Sequence, residues 1–387
     1  MVKTMKKILF ISDQYISDVI GGSLGHRRFY DILSDQKEYD FKIISLDENL
    51  KNSIKINIKK DKKMDYLSRI YFHSSFLCFY TDKICEAAFK FQPDVVIIGR
   101  SRLGFIAKRL RELLSNAEII SNFDNIEYDY VTSQFAQKTG LIGKVIKIVE
   151  KYIVKRDEKE CIESSDKYIF LTDRDKKRAE EIYNINTNNR SYIFPISLKN
   201  AVNLEKESTK INIFFIGNLK YAANIKSILW FLKNVWFTNY INDNNIVLNI
   251  AGKNADTVLR EYRNFNNIKI FSDFNKVTDI VPKGALFIAP IVTGAGMKVK
   301  IAEALSMGLP IIGTTEALVG YEEAANYLKD KGFLVKADSA DEYKHYIDYY
   351  KMLNKKAIKT FESNNKFAFN LFYSYKRAKN ILKIICD

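Results

Sequence analysis

Short apolar runs recur along the whole sequence, with longer helix-patterned stretches between them. The first half holds KKILFIS (6–12), FKIISLD (41–47), DVVIIGR (94–100), AEIISNF (117–123), KYIFLT (167–172) and SYIFPI (191–196). The second half repeats the rhythm with INIFFIG (211–217), IVLNIAG (246–252), IKIFSDF (268–274), ALFIAP (285–290), PIIGTT (310–315) and GFLVKA (332–337). Runs this short and this apolar suit strands buried on both faces, and the lengths between them suit helical crossovers. Two such sets predict an α/β chain with two doubly wound parallel sheets, parted in the polar stretch LKNAVNLEKESTKI (198–211). The expected bodies are 1–200 and 201–368, with FNLFYSYKRAKNILKIICD (369–387) as one closing helix.

Size and composition agree with two cores. The chain has 387 residues, 47% hydrophobic and 28% charged, which is globular composition. No apolar run approaches the roughly 18 residues of a membrane span. The lysines and short apolar run of MVKTMKKILFIS lead into polar SDQ with no cleavage site, so the segment reads as a first strand and not a signal peptide. Four cysteines without C-x-x-C spacing and only three histidines imply reduced thiols, a cytoplasmic setting and no zinc site. The net charge of +15 favours a polyanion or an anionic membrane, or else reflects a lysine-rich composition throughout. A nucleic-acid-binding protein would rest on that charge alone, because no recognition motif accompanies it.

Ligands of open parallel sheets bind beyond the carboxyl ends of strands. Three loops stand there. SDVIGGSLGHRRFYDIL (17–33) carries Gly21, Gly22 and Gly25 before a helix, without the spacing of a Walker loop or a dinucleotide fingerprint. IGNLKYAANIKSILWFL (216–232) places Gly217, Asn218, Lys220 and Asn224 at the end of a strand, with a helix expected from about Asn224; Trp230 and Phe231 read as core. GAGMKVKIAEALSMGLPIIGTT (294–315) is a glycine loop, a helix and a strand. A helix starting near Gly296 puts Val299, Ala302 and Leu305 on its apolar side, and Lys300, Glu303 and Met307 together on another. Backbone N–H groups, a helix start and Lys300 suit a diphosphate, while Glu303 suits a ribose diol. The alternative is a plain surface pair between Lys300 and Glu303. Elsewhere, Thr172 and Asp175 in LTDRDKKRAEEIY fit a capping box at a helix start.

The second and third loops together resemble the donor half of GT-B glycosyltransferases of family 4. The family pattern of a glycine-rich turn, a lysine, a glutamate and a Thr-Thr strand end is matched at Gly294, Gly296, Lys300, Glu303, Ala304, Gly308, Pro310, Thr314 and Thr315. The Gly-Gly loop, FDNIEYDYV (123–131) and SSDKYIFLTDRDKKR (164–178) extend the likeness over most of the chain. The resemblance implies two Rossmann-like domains facing across a cleft, the second binding a nucleotide sugar and the first an acceptor, with a final helix crossing back.

It also implies roles. Glu303 would hold the ribose hydroxyls; Lys300 and the helix start near Gly296 would hold the diphosphate, with Gly22 under it from the other domain. Transfer would retain anomeric configuration and use no bound metal or cofactor, the nucleotide sugar being a substrate. A glutamate common in relatives is Ala295 here, so backbone N–H groups at Gly294, Ala295, Gly296 and Met297 would hold the sugar instead. The usual Arg and Lys after the first donor strand are Asn218 and Asn224, leaving Lys220, Lys298 or Lys300 to supply the clamp on the leaving group. Where relatives read H-N-[VI]-E, this chain has Asp124-Asn125-Ile126-Glu127, and Asp124 is either an acid–base group or a turn cap. An enzymatically inactive protein that still binds nucleotide sugar is the rival reading.

One more helix carries a pattern of its own. In LIGKVIKIVEKYIVKRDEK (141–159), Leu141, Val145, Ile148, Val149 and Tyr152 share a side next to a stripe of Lys144, Lys147, Lys151 and Lys155. Either the apolar side packs on the N-terminal domain, the reading preferred on the residues alone, or it lies on anionic lipid. The implied lipid-linked glycan acceptor favours the second.

Overall fold

A computed structural model describes residues 5–18, 22–134, 140–294 and 296–387. All twelve apolar runs form strands: β1 Lys6–Ile11, β2 Tyr39–Ile44, β3 Val95–Ile98, β4 Glu118–Phe123, β5 Lys167–Phe170, β6 Ser191–Ile193, β7 Ile211–Ile216, β8 Ile246–Ala251, β9 Ile268–Phe271, β10 Leu286–Ala289, β11 Ile311–Gly313 and β12 Leu334–Lys336. They pair in parallel throughout, in two six-stranded sheets ordered β2-β1-β3-β4-β5-β6 and β12-β11-β10-β7-β8-β9. Central strands such as β3, whose four residues are all fully buried, show why continuous apolar runs appear where one-sided sheets would alternate.

The chain divides into Met1–Pro195 with Ala378–Asp387, and Ile196–Arg377. In the first unit the strand order reverses between β1 and β3, whose register runs from Ile8 opposite Val95 to Ile11 opposite Ile98. In the second it reverses between β7 and β10. At such a point the two connecting helices leave on opposite faces, so the carboxyl ends of the two strands border a crevice.

Two close approaches shape the first unit. The helix Gly104–Leu113 crosses Leu141–Glu163 so tightly that a Cβ on Gly104 would lie 1.8 Å from the Asp157 carbonyl oxygen. Beside β3, a Cβ on Gly99 would lie 2.7 Å from the Ile11 carbonyl oxygen and 2.8 Å from the His26 ring.

Several local expectations change. The closing stretch 369–387 is not one helix. Lys355–Phe372 ends at Tyr373, and Tyr375–Cys386 starts anew, because Leu198 pairs with this backbone, its N–H donating to Tyr373 and its carbonyl accepting from Tyr375. The last turn reaches the start of the first sheet, where Lys6 and Lys167 donate to the carbonyls of Cys386 and Ile385. At Thr172 only half of the capping box forms: its hydroxyl oxygen accepts from the Asp175 N–H at 3.0 Å and also bonds the Asp175 carboxylate.

The largest change concerns Leu141–Glu163. Ile153, Val154, Asp157 and Cys161 face the unit's interior, whereas Val145, Ile148, Val149 and Tyr152 are exposed. The preferred packing of that apolar side on the domain is therefore wrong. The contact at Gly104 fixes the rotation of the helix, and it turns the stripe outward. Among the described residues no helix is long and apolar enough to cross a membrane.

Candidate functional site

The second unit builds its site on the crevice between β7 and β10. β7 ends at Ile216 and hands over to Gly217, where a Cβ would lie 3.0 Å from the Asn224 side chain. The following helix, Ala222–Phe231, begins two residues earlier than expected, so Asn224 lies in its first turn. Phe231 is fully buried, and Trp230 packs against the same core. Asn224 Nδ2 donates to the Asn218 carbonyl at 3.0 Å, and Asn218 Oδ1 accepts from the Lys220 N–H at 3.0 Å. The Lys220 side chain itself is exposed.

Across the crevice β10 leads through Gly294 (φ 153°) and Gly296 (φ 61°) into the helix Val299–Ser306. The helix thus starts three residues after Gly296, because a left-handed residue cannot open a right-handed helix. Its buried side is Ile301, Ala302, Ala304 and Leu305, so Ala302 and Leu305 pack as expected but Val299 is only half-buried. Lys298 is the N-cap and offers no side-chain cap bond. Ile301 N–H bonds the Lys298 carbonyl and Ala302 N–H takes the Tyr321 hydroxyl at 3.2 Å, so that among the described residues the N–H groups of Val299 and Lys300, at the head of the helix, meet no acceptor. Ala295 lies outside the described residues.

Lys300 Nζ donates to Asn224 Oδ1 at 3.0 Å and stands 5.2 Å from the centre of the Phe215 ring. Burial lowers its pKa to about 8, with the neighbouring Lys298 adding and Glu303 opposing. Burial raises the Glu303 carboxyl, and Lys300 only partly offsets this. Among the described residues the Glu303 carboxylate has no hydrogen-bond or ion-pair partner, so the plain surface pair with Lys300 does not form. The side chain is half-buried, and a partly desolvated acid without a protein donor gains from a ligand that supplies one.

Two sequence candidates take other positions. Lys298 Nζ donates to the Gly296 carbonyl at 2.7 Å and pairs with Glu316 at 3.0 Å, so it braces the glycine loop from within. The Met297 side chain is buried, its sulfur accepting from the Ile196 N–H at 3.4 Å. Glu316, unnoticed in the sequence, sits where the Thr-Thr strand end turns. Thr315 beside it gives two bonds of 2.7 Å to Asp338, and these hold that carboxyl low against its burial.

The first unit has a polar nest of its own at the ends of β1, β3 and β4. Arg100, just past β3, pairs with Asp13 at 3.4 Å and with Glu127, and Glu127 also takes Arg102. Burial opposes ionisation of Glu127, yet the two guanidiniums hold its pKa low. Asp124 follows β4, with Arg100 Nε at 3.9 Å but no hydrogen bond to its buried Oδ1. Burial lifts Asp124 to about 7 against the pull of Arg100, and Glu127 and Asp13 push the same way.

Three more buried polar atoms of this nest also lack a hydrogen bond: Arg100 Nε, His26 Nε2 and Asn122 Oδ1. His26 bonds Ser12 at 2.7 Å through its other nitrogen, and burial keeps it neutral, with a pKa of about 4. Asn122 Nδ2 donates to the Gly99 carbonyl at 2.9 Å. A pocket of about 400 Å³ borders this nest, lined by Asp13, Gln14, Arg100 and Arg102 on one side and by Lys60, Tyr66, Arg69 and Glu150 on another. Gly22 opens the helix Gly22–Ser34 that carries His26.

Of this nest the sequence singled out only Asp124. Asp13 and Arg100 immediately follow strand runs, which was the available signal. His26, Asn122 and Arg102 had none. Among the described residues no three His, Cys, Asp or Glu side chains are grouped to hold a metal ion.

Residues 210–350 match the family described as Glycosyl transferases group 1. An uncharacterised 44.6 kDa protein in the cps region of Klebsiella pneumoniae is 22% identical over 309 residues, 77% of this chain and 68% of that protein. WaaG, a glycosyltransferase involved in lipopolysaccharide biosynthesis, superposes with a TM-score of 0.63 at 13% identity, over 97% of this chain and 99% of its own. An E. coli structure named trehalose-6-phosphate, bound with UDP-2-fluoro glucose, superposes with a TM-score of 0.67 at 11% identity, over 98% and 99%. At these identities the likeness shows the shared fold, two Rossmann-like domains of the GT-B kind. Residues 210–350, which carry the second sheet, thus match the group 1 glycosyltransferases, within a chain that has the GT-B fold throughout.

Proposed function

We propose that the chain is a retaining glycosyltransferase that moves a sugar from a nucleotide-sugar donor to a hydroxyl of a glycan or lipid-linked glycan in surface polysaccharide synthesis. The observation that carries this reading is the network at the β7/β10 crevice. Lys300, Asn224 and Asn218 are linked there by hydrogen bonds, one helical turn from a carboxylate with no partner among the described residues. The ribose diol supplies Glu303 with its missing donors. The diphosphate meets Lys300 and the N–H groups at the helix head. As the sugar C1–O bond breaks, the leaving diphosphate takes the electron pair, and a cation held in a desolvated site stabilises that charge most. The acceptor oxygen bonds C1, and its proton leaves with the departing phosphate.

The nest around Asp124 suits the acceptor. Its acceptor and donor atoms without a hydrogen bond, Asp124 Oδ1, Asn122 Oδ1, Arg100 Nε and His26 Nε2, match a polyhydroxylated sugar. The cps-region relative and the lipopolysaccharide enzyme of the same fold support a surface glycan as product.

The test is a thermal-shift screen against UDP-, GDP-, ADP- and CMP-sugars, followed by turnover of the sugar that binds. A ligand at about 100 times its Kd adds about 2.7 kcal/mol. Binding and turnover, both abolished by Glu303→Ala, support the reading. Binding without turnover on any acceptor favours the inactive nucleotide-sugar-binding protein, a reading kept in view by the engagement of Lys298 with Glu316.

A further inference from the structure

Two segments of the first unit turn apolar side chains to solvent side by side. On the helix Leu141–Glu163, Val145, Ile148, Val149 and Tyr152 form one outward stripe, with Ile148 67% and Tyr152 63% exposed. On the helix Lys62–Ile70 and the two residues after it, Tyr66, Leu67, Ile70, Tyr71 and Phe72 are exposed, Tyr66 by 73% and Tyr71 by 65%. The segments are locked together: Arg69 Nε donates to Glu150 Oε1 at 2.8 Å, and Arg156 donates to the Phe72 carbonyl. Soluble monomers rarely present so many large apolar side chains in one patch.

Charge decides what covers it. Lys144, Lys147, Lys151 and Lys155 run beside the first stripe, and exposed Lys59, Lys60 and Lys63 flank the second. Glu150 is neutralised by Arg69, and Asp61 is spent as the N-cap of its helix. A basic margin around tyrosines and branched aliphatics matches the headgroup and upper acyl region of an anionic bilayer. A second copy of the same face would bring like charges together.

We propose that these two segments form a docking surface for anionic phospholipid, the helix lying in the interface with Val145, Ile148 and Tyr152 among the acyl chains. Tyr66, Arg69 and Glu150 also line the pocket that reaches Arg100. Docking therefore brings that pocket to the headgroup level, where an acceptor carried on a lipid is met. This last consequence rests on the glycosyltransferase reading; the docking itself does not.

The experiment is co-sedimentation of the full chain with vesicles of phosphatidylcholine alone and of phosphatidylcholine and phosphatidylglycerol in equal parts. The expected result is retention by the anionic vesicles only, weakened about ten-fold or more at about 0.5 M salt. The triple variant Lys144→Glu/Lys147→Glu/Lys151→Glu, and separately Ile148→Ser/Tyr152→Ser and Tyr66→Ser/Tyr71→Ser, each lose retention while their melting temperatures stay at the wild-type value. Equal retention by neutral vesicles overturns the proposal. So does a wild-type protein that stays in the supernatant at low salt, or one that forms a dimer which Ile148→Ser dissociates. Donor binding, read by thermal shift without lipid, stays intact in all three variants, so failure of docking and failure of the donor reading are separable.

Discussion

Lys300 Nζ and Asn224 Oδ1 lie 3.0 Å apart, a single bond that ties the helix after β10 to the helix after β7. The amide holds the ammonium in place without neutralising it. Replacing Lys300 with Met keeps the stem packed on Phe215 and removes only the charge. Steady-state kinetics of Lys300→Met should show kcat/KM reduced about 10²–10³-fold, the usual loss when one donor to developing charge is removed. Asn224→Ala leaves the cation mispositioned and should lose about ten-fold.

The pH dependence of donor binding follows from the same residue. With a folded pKa of about 8 against an ordinary 10.5, Lys300 loses its proton in the empty protein well before an exposed lysine. Donor affinity, titrated by calorimetry, should weaken above about pH 8. Stability moves the opposite way. Between about pH 8 and 10.5 the unfolded chain binds more protons than the folded one, so the contribution of this group to folding rises with pH across that window. A Lys300→Met protein should show neither change.

Glu303 sets function against stability. Its carboxyl is raised by burial and has no partner among the described residues, so Glu303→Gln should raise the melting temperature of the ligand-free protein. The same change should shrink or abolish the thermal shift given by the donor, because the amide accepts less strongly from a diol. A variant that melts lower and binds the donor normally would show that the carboxylate serves the fold alone.

Burial raises the Asp124 carboxyl to about 7. Its folded value lies above its ordinary 3.8, so its contribution to folding is full below about pH 4 and is lost as pH rises through 7. Asp124→Asn should flatten that part of the stability profile in urea titrations. If the carboxylate meets the acceptor, the same substitution also removes a limb near pH 7 from the rate profile; an unchanged profile would reduce Asp124 to a turn residue.

Gly104 is a purely structural test. A methyl there meets the backbone of Asp157 and Cys161, which cannot rotate away. Gly104→Ala should destabilise the first unit by about 3 kcal/mol, read from the urea midpoint.

The strands were legible because apolar runs of this kind have few other uses, and all twelve form. The glycine loop and helix after β10 were legible too, since Gly294 and Gly296 adopt backbone that side chains disfavour and Lys300 and Glu303 stand one turn apart. Periodicity does not register a left-handed glycine as a delay, so the helix start was placed three residues early. The pairing of Lys298 with Glu316 has no sequence signal because Glu316 lies beyond β11. The nest around Arg100 escaped because its members are spread from Asp13 to Glu127 and meet only when β1, β3 and β4 are laid side by side. The outward turn of Tyr152 was decided by Gly104, a residue with no side chain and no signature.

Leu141–Glu163 is, in mechanical terms, a cantilever. Its far half is clamped where Gly104 admits the Asp157 carbonyl, and its near half overhangs. On the clamped half sits Glu158, whose carboxylate takes the N–H groups of Glu127 and Tyr128 at 3.0 and 2.9 Å and the hydroxyl of Ser101 at 2.8 Å. Load on the free end is thus borne by the bonds that seat Glu127 beneath Arg100, and a rod about 35 Å long carries it there.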